Sequence, residues 1–263
     1  MRINICLVAG LAMMMLCSHV QAGILASKTR LLFQAPQTYQ HLMLVNTNHY
    51  PILLQTWVDQ GAADPETPHM PFLVVPPLAK MSANAIQSIR IIYNDQLLAQ
   101  DRESVFWLNL YEMPYVKTAM TEQSTWLSLA MNTQLKIFYR PKTLAKMTLS
   151  DLAQHLKFYL IQHQGQWLIR CDNRTAYHAS FLDLQLLLPS QRFAAQQVMD
   201  MMSYPFSQKD YLFSAKVTSK LSSVLSTAQV QFSLVDDQGQ IHSFTRPIHV
   251  LLDEGVPDNA VQK

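Results

Sequence analysis

After residue 23 the chain reads as short apolar runs of β type, each closed by a polar, Pro or Asn/Asp cluster. His41–Val45 ends at Asn46-Thr47-Asn48, Ile52–Val58 at Asp59-Gln60-Gly61, Phe72–Val75 at Pro76-Pro77 and Ser88–Tyr93 at Asn94-Asp95. Ser104–Tyr111 and Trp126–Tyr139 complete this series, which stops at Arg140-Pro141-Lys142. A polar stretch follows, with a short helical turn predicted at Leu149–Leu156. A second series runs through Trp167–Cys171, Phe181–Leu188, Tyr211–Val217, Gln229–Val235 and Ile241–Val250. Gln191–Met201 fits a short helix or a strand and loop. Glycine is scarce here, so the turns must rely on Pro, Asn and Asp. Many short strands with turn signals between them predict antiparallel sandwiches. The fold class expected is all-β, with one sandwich over residues 23–142, another over 147–252 and a flexible tail at 253–263.

The run from Trp126 to Arg140 stands apart by its length. Side chains alternate across a strand with period two. One face then carries Leu127, Leu129, Met131, Thr133, Leu135 and Ile137, and the other carries Ser128, Ala130, Asn132, Gln134, Lys136 and Phe138. Its 15 residues make it about three times the usual strand length. On pattern alone it is a core strand with its apolar face inward. At a sheet edge, the same stripe would invite aggregation unless a partner covered it.

The first 22 residues change the setting. Arg2, an uncharged apolar run from Ile5 to Cys17 and the sequence Val20-Gln21-Ala22 have the form of a secretory signal peptide, with cleavage expected after Ala22. Only Arg2 of the 20 basic residues lies there, so 19 basic residues face 18 acidic ones in the remainder. That balance lacks the basic footprint of a nucleic-acid binder, and no later apolar run is long enough to span a bilayer. Cys6 and Cys17 leave with the leader. Cys171 then has no internal partner and is expected to be buried as a small apolar residue.

Catalytic constellations are missing. The sequence has no nucleophile elbow, phosphate-binding loop or dinucleotide fingerprint. Its 9 histidines are scattered and none sits in a zinc-ligand spacing, so no metal or cofactor is expected. Asp101 and Glu103 form a close carboxylate pair, better read as structural ion pairing than as glycosidase chemistry. Asn173-Arg174-Thr175 is formally a glycosylation sequon.

Several segments together resemble the PapD-like periplasmic pilus chaperones along nearly the whole mature chain. They are Lys28-Thr29-Arg30, Gln55–Asp59, Pro71–Leu78, Asp101–Asn109 and, most specifically, Leu135-Lys136-Ile137-Phe138-Tyr139-Arg140-Pro141. In the second half, Ile169–Tyr177 is similar to the family's N-P-T-x-Y stretch, with Arg174 in place of the Pro. The resemblance implies two immunoglobulin-like sandwich domains set at an angle around a cleft. It also implies a non-enzymatic, periplasmic function: binding and capping pilus subunits by donating a strand and delivering them to an outer-membrane usher. Carried over residue by residue, Arg30 and Lys136 would anchor the subunit's C-terminal carboxylate. Leu127, Leu129 and Met131 would be the donor side chains, and Glu103, Arg140 and Asp237 would form interdomain salt bridges. When free, the protein could cap its own strand by dimerising. The competing reading is a secreted two-domain adhesin or carbohydrate-binding module, which would need an open aromatic platform from Trp107, Trp126 or Trp167.

Overall fold

The computed structural model describes residues 23–115, 129–163, 166–214 and 227–251. The expected leader at 1–22, the donor position Leu127, Trp126 and the tail at 253–263 lie outside the described residues.

The architecture is all-β, two immunoglobulin-like sandwiches with one short helix among the described residues. The strands of the first are β1 (Ile24–Ala26), β2 (Arg30–Gln34), β3 (Tyr39–Asn46), β4 (Ile52–Asp59), β5 (Phe72–Val75), β6 (Leu78–Met81), β7 (Ile86–Tyr93), β8 (Ser104–Pro114) and β9 (Met131–Arg140). Helix α1 (Leu149–His155) precedes β10 (Lys157–His163), β11 (Gln166–Asn173), β12 (Ala179–Leu187), β13 (Arg192–Ala194), β14 (Met202–Ser203) and β15 (Ser207–Leu212). The series ends with β16 (Gln229–Val235), β17 (Ile241–Pro247) and β18 (His249–Leu251).

Four sheets result, ordered β1-β3-β7-β5, β2-β9-β8-β4-β6, β15-β11-β10-β18 and β13-β12-β16-β17, with β14 also paired to β12. Each sandwich contains one parallel pair joining an early strand to a late one. Arg30–Gln34 of β2 run beside Lys136–Arg140 of β9, and Tyr159–Ile161 of β10 run beside His249–Leu251 of β18. Parallel neighbours cannot be joined by a tight hairpin, so the whole intervening sandwich is the crossover.

By compactness the chain separates into two units. The first takes Met1–Ser27, His41–Ile92 and Leu108–Gln134, and the second takes Lys28–Gln40, Tyr93–Trp107 and Leu135–Lys263. Within the first, alternate positions are buried: Leu42, Leu44 and Asn46 on β3, Ile52, Leu54 and Thr56 on β4, Ile89 and Ile91 on β7. This is the period-two signature of a half-buried strand. In the second, β2 buries Leu31 and Phe33, while Phe158, Leu160, Ile169, Phe181, Leu184, Phe232 and Leu234 build an aromatic-rich core. Phe158, Phe181 and Phe232 pack as a ring cluster with centroids 4.8–6.4 Å apart.

Two buried asparagines organise equivalent turns. Asn46 ends β3; its Nδ2 donates to the carbonyls of Tyr50, Met81 and Ser82, and its Oδ1 accepts from the backbone N–H of Asn48. Asn173 ends β11; its Nδ2 donates to the carbonyls of Tyr177, Ser203 and Tyr204, and its Oδ1 accepts from the N–H and hydroxyl of Thr175. The amide of Asn173 is thus consumed in the fold and is not accessible as a glycan acceptor.

Strands β5 and β16 and the helix sit where the sequence pattern places them. The apolar run Ile241–Val250 is expected as one strand but forms two: β17 pairs antiparallel with β16, and β18 crosses to pair parallel with β10. Pro247, which lacks an N–H, marks the break, and buried Ile248 fills the crossing. Gln191–Met201 resolves as β13 followed by loop. Strand β10 is absent from the sequence expectation because its apolar stretch Phe158–Ile161 is too short to show a period. The Pro76-Pro77 turn carries its cis bond at Val75–Pro76, and Ala35–Pro36 is also cis.

Candidate functional site

The last part of β9 and the first part of β8 bring the sequence-predicted charges together in the second unit. Arg30 opens β2 and is the direct cross-strand partner of Lys136 on β9. In a parallel pair, partnered residues project from the same face, so two cations are held side by side. Arg30 Nη1 donates to the Val235 carbonyl at 3.0 Å, its guanidinium lies 5.7 Å from the Phe138 ring centroid, and its buried Nε has no acceptor among the described residues. Burial pulls the Arg30 pKa below its ordinary value, against the opposing pull of Asp237, Asp236 and Glu103. Lys136 is also held low by burial, with Asp200 opposing.

Arg140, four residues further along β9, sits at the centre of an ionic array. Its Nε donates to Glu103 at 2.6 Å, and both Nη atoms donate to Asp237 at 2.6 Å in a bidentate fork. Burial disfavours its charge, yet the hydrogen bonds and charges of Asp237 and Glu103 outweigh that and raise its pKa. The neighbouring Asp236 does other work. It accepts from the backbone of Gln238 and Gln240 and pairs with His242, shaping the turn between β16 and β17. The Cβ of any other residue at Gly239, which has φ +83° in that turn, would lie 2.4 Å from Thr29 Oγ1.

Glu103 is buried and fully used. Oε1 takes Arg140, and Oε2 accepts from the His178 backbone N–H at 2.9 Å and lies 2.7 Å from His178 Nδ1. Asp101 instead pairs with adjacent Arg102 at the surface, so the two carboxylates do not converge on one point. Arg30, Glu103, Arg140, Tyr177, His178 and Asp237 all face a cavity of about 310 Å³.

The apolar stripe of β9 divides. Leu135 and Ile137 are buried, whereas Met131, the first residue of β9, is 43% exposed and Leu129, which precedes the strand, is 67% exposed; the strand expected from Trp126 begins, among the described residues, only at Met131. Strand β2 begins at Arg30, opposite Lys136, so its register covers β9 only from Lys136 to Arg140 and flanks neither Met131 nor Leu129. The β8 side of the upstream part is secured by Asn109 Oδ1, which accepts from Asn132 and Gln134. Of the aromatic platform the competing reading needs, Trp167 is buried and Trp107 half-buried. No metal-competent group of His, Cys, Asp and Glu occurs among the described residues.

Two site residues carry no sequence signal. His178 follows the recognised Asn173–Tyr177 stretch, but nothing local marks its approach to Glu103, 75 residues away. Asp200 lies in the stretch whose structure the pattern leaves open, and its carboxylate takes Lys136 Nζ at 3.1 Å.

Residues 23–145 match the N-terminal domain of the PapD pili and flagellar-assembly chaperones, and residues 151–246 match the C-terminal domain of the PapD pili assembly chaperones. The probable fimbrial chaperone YadV of Escherichia coli K12 is 32% identical over 223 residues, spanning 83% of this chain and 87% of YadV. The chaperone protein HifB of Haemophilus influenzae is 30% identical, spanning 85% of this chain and 88% of HifB. The crystal structure of YadV superposes with a TM-score of 0.66 at 28% identity over 84% of this chain and 98% of its own. The Salmonella enterica complex of SafA pilin with the SafB chaperone shares the fold at a TM-score of 0.66 and 22% identity, over 88% of this chain and 98% of that one. The chain belongs to the PapD family of pilus-assembly chaperones.

Proposed function

We propose that this chain is a non-enzymatic periplasmic chaperone that binds pilus subunits by lending them the segment that leads into β9, residues 127–131, and hands them to an outer-membrane usher. It would reach the periplasm through a cleaved leader at 1–22 and work as domains 23–142 and 147–252. Leu127, Leu129 and Met131 are the donor side chains in this reading, and Arg30 and Lys136 anchor the subunit's terminal carboxylate. Glu103, Arg140 and Asp237 brace β8, β9 and the turn after β16. The complex of SafB with a pilin supports a subunit as the partner.

The observation that carries the reading is the exposed Met131 at the start of β9 and the exposed Leu129 just before it, upstream of the stretch that β2 flanks and that holds Lys136 beside Arg30. A subunit lacking a strand exposes an apolar groove and unpaired backbone groups, and an added strand satisfies both. Seating each donor side chain is worth roughly 1.5–3 kcal/mol. An arginine fork and a compact ammonium suit one carboxylate. The test is periplasmic co-expression with a candidate subunit, with a one-to-one complex as the expected product. Arg30→Ala and Lys136→Ala should fold normally and recover little or no subunit. Normal recovery by both would overturn the anchor assignment.

A further inference from the structure

The anchor lysine is not a free cation. Lys136 Nζ donates to Asp200 Oδ1 at 3.1 Å. The other carboxylate oxygen of Asp200 accepts from the Tyr204 hydroxyl at 3.1 Å and lies 3.5 Å from Lys209 Nζ, and Lys209 also donates to the Asp200 carbonyl. Asp200 is therefore clamped by three side chains from β9, β15 and the loop after β14. Arg30, beside Lys136, donates to the Val235 carbonyl and has no carboxylate within hydrogen-bond reach among the described residues. Around Lys136 itself the charges are the cations Arg30 and Lys209 and the anion Asp200, while Asp237, Asp236 and Glu103 act on the Arg30 side.

We propose that Asp200 is a positioning residue of the carboxylate anchor: it orients Lys136 and preserves its charge beside Arg30, so that an incoming carboxylate meets two ready cations. This rests on the anchor reading given above. The chemistry argues for support over competition. An ammonium has three N–H groups, so Lys136 can hold Asp200 and still donate to a ligand carboxylate. Without Asp200, burial and the neighbouring charges of Arg30 and Lys209 would all act against the protonated lysine. Tyr204 stays neutral there, its phenol pushed up first by burial and then by Asp200.

The experiment uses the full mature chain and two readouts. The first follows the Lys136 side-chain NMR signals through a pH titration. The second measures binding of a synthetic β-strand peptide with a free C-terminal carboxylate against the same peptide as its amide. Asp200→Asn keeps the size and most hydrogen bonds of the side chain. It should lower the Lys136 titration midpoint and weaken the free-acid preference, with the loss growing as pH rises towards that midpoint. Adding Lys136→Arg to Asp200→Asn should remove the pH dependence, because Arg keeps its charge. Unchanged titration and preference in Asp200→Asn would overturn the proposal, as would tighter free-acid binding, the mark of a competitor. A wild-type protein that does not prefer the free acid would overturn the anchor reading instead. The Lys136 titration would then still decide whether Asp200 holds that charge.

Discussion

At the scale of single residues, Cys171 shows how burial sets chemistry. It lies on β11 with no solvent exposure, and burial pushes its thiol from an ordinary 9.0 up to about 12. The thiolate is the reactive form, so the folded protein should resist thiol reagents at pH values where the unfolded chain reacts. The linkage has a definite sign. The folded thiol keeps a proton that the unfolded chain releases, so this contribution to stability is complete below the unfolded pKa and declines as pH rises from about 9 towards about 12. Labelling with a chromogenic disulfide at about pH 8, with and without denaturant, is the check; an unfolded thiol near that pKa is partly ionised there. Equal rates in both conditions would contradict burial. This burial is legible in the sequence once a cleaved leader is expected, because Cys171 would then be alone in an oxidising compartment and safest in a core. Its neighbours are not: Asp172 and Asn173 are also buried, through contacts the local pattern does not encode.

At the scale of elements, β9 is one strand with two environments. Its alternation is plain in the sequence, and pattern alone turns the whole stripe inward. What divides the stripe is the start of β2, at Arg30, more than a hundred residues earlier in the chain, and no local periodicity reports that. The division makes a contrast along one apolar stripe, between the approach to β9 and its interior. Leu129→Ser should change unfolding free energy by less than about 0.5 kcal/mol, as expected at an exposed position. Ile137→Ala, at 0% exposure, should cost about 2–4 kcal/mol. Chemical denaturation of both variants reads this directly, and similar costs would mean that Leu129 is packed in the protein's own core. The asparagine turns show the same limit. Asn46-Thr47-Asn48-His49-Tyr50 and Asn173-Arg174-Thr175-Ala176-Tyr177 share an N-x-[NT]-x-Y spacing, and in both the amide bonds the carbonyl four residues on. As a sequence pattern it is too sparse to count as a repeat; its meaning comes from the two further carbonyls that each amide reaches across the fold.

At the scale of the whole molecule, the features that identify the site are long-range. Arg140 meets Glu103 across 37 residues and Asp237 across 97, and Lys136 meets Asp200 across 64. Family resemblance singled out Arg140, Glu103 and Asp237; the contact to Asp200 needed coordinates. The same resemblance leads to a prediction about the protein on its own. Leu129, just before β9, and Met131, its first residue, lie exposed where β2 does not flank them, and an uncovered apolar edge tends to find another strand. A formal charge of only +2 gives little repulsion between copies. Burying these two side chains against a second copy is worth about 3–6 kcal/mol. Main-chain pairing adds to that, and the loss of translational and rotational freedom takes most of it back. The balance predicts a weak, reversible dimer with a dissociation constant on the order of 10 µM or above. Sedimentation velocity across a concentration series should show the monomer shifting towards dimer, and Leu129→Lys with Met131→Lys should hold it monomeric without loss of fold. A subunit that occupies the same stretch of β9 should likewise dissolve the dimer, so self-association and subunit capture become competing uses of one edge. A wild-type protein that stays monomeric throughout, or a dimer indifferent to both lysines, would show that this edge is not where copies meet.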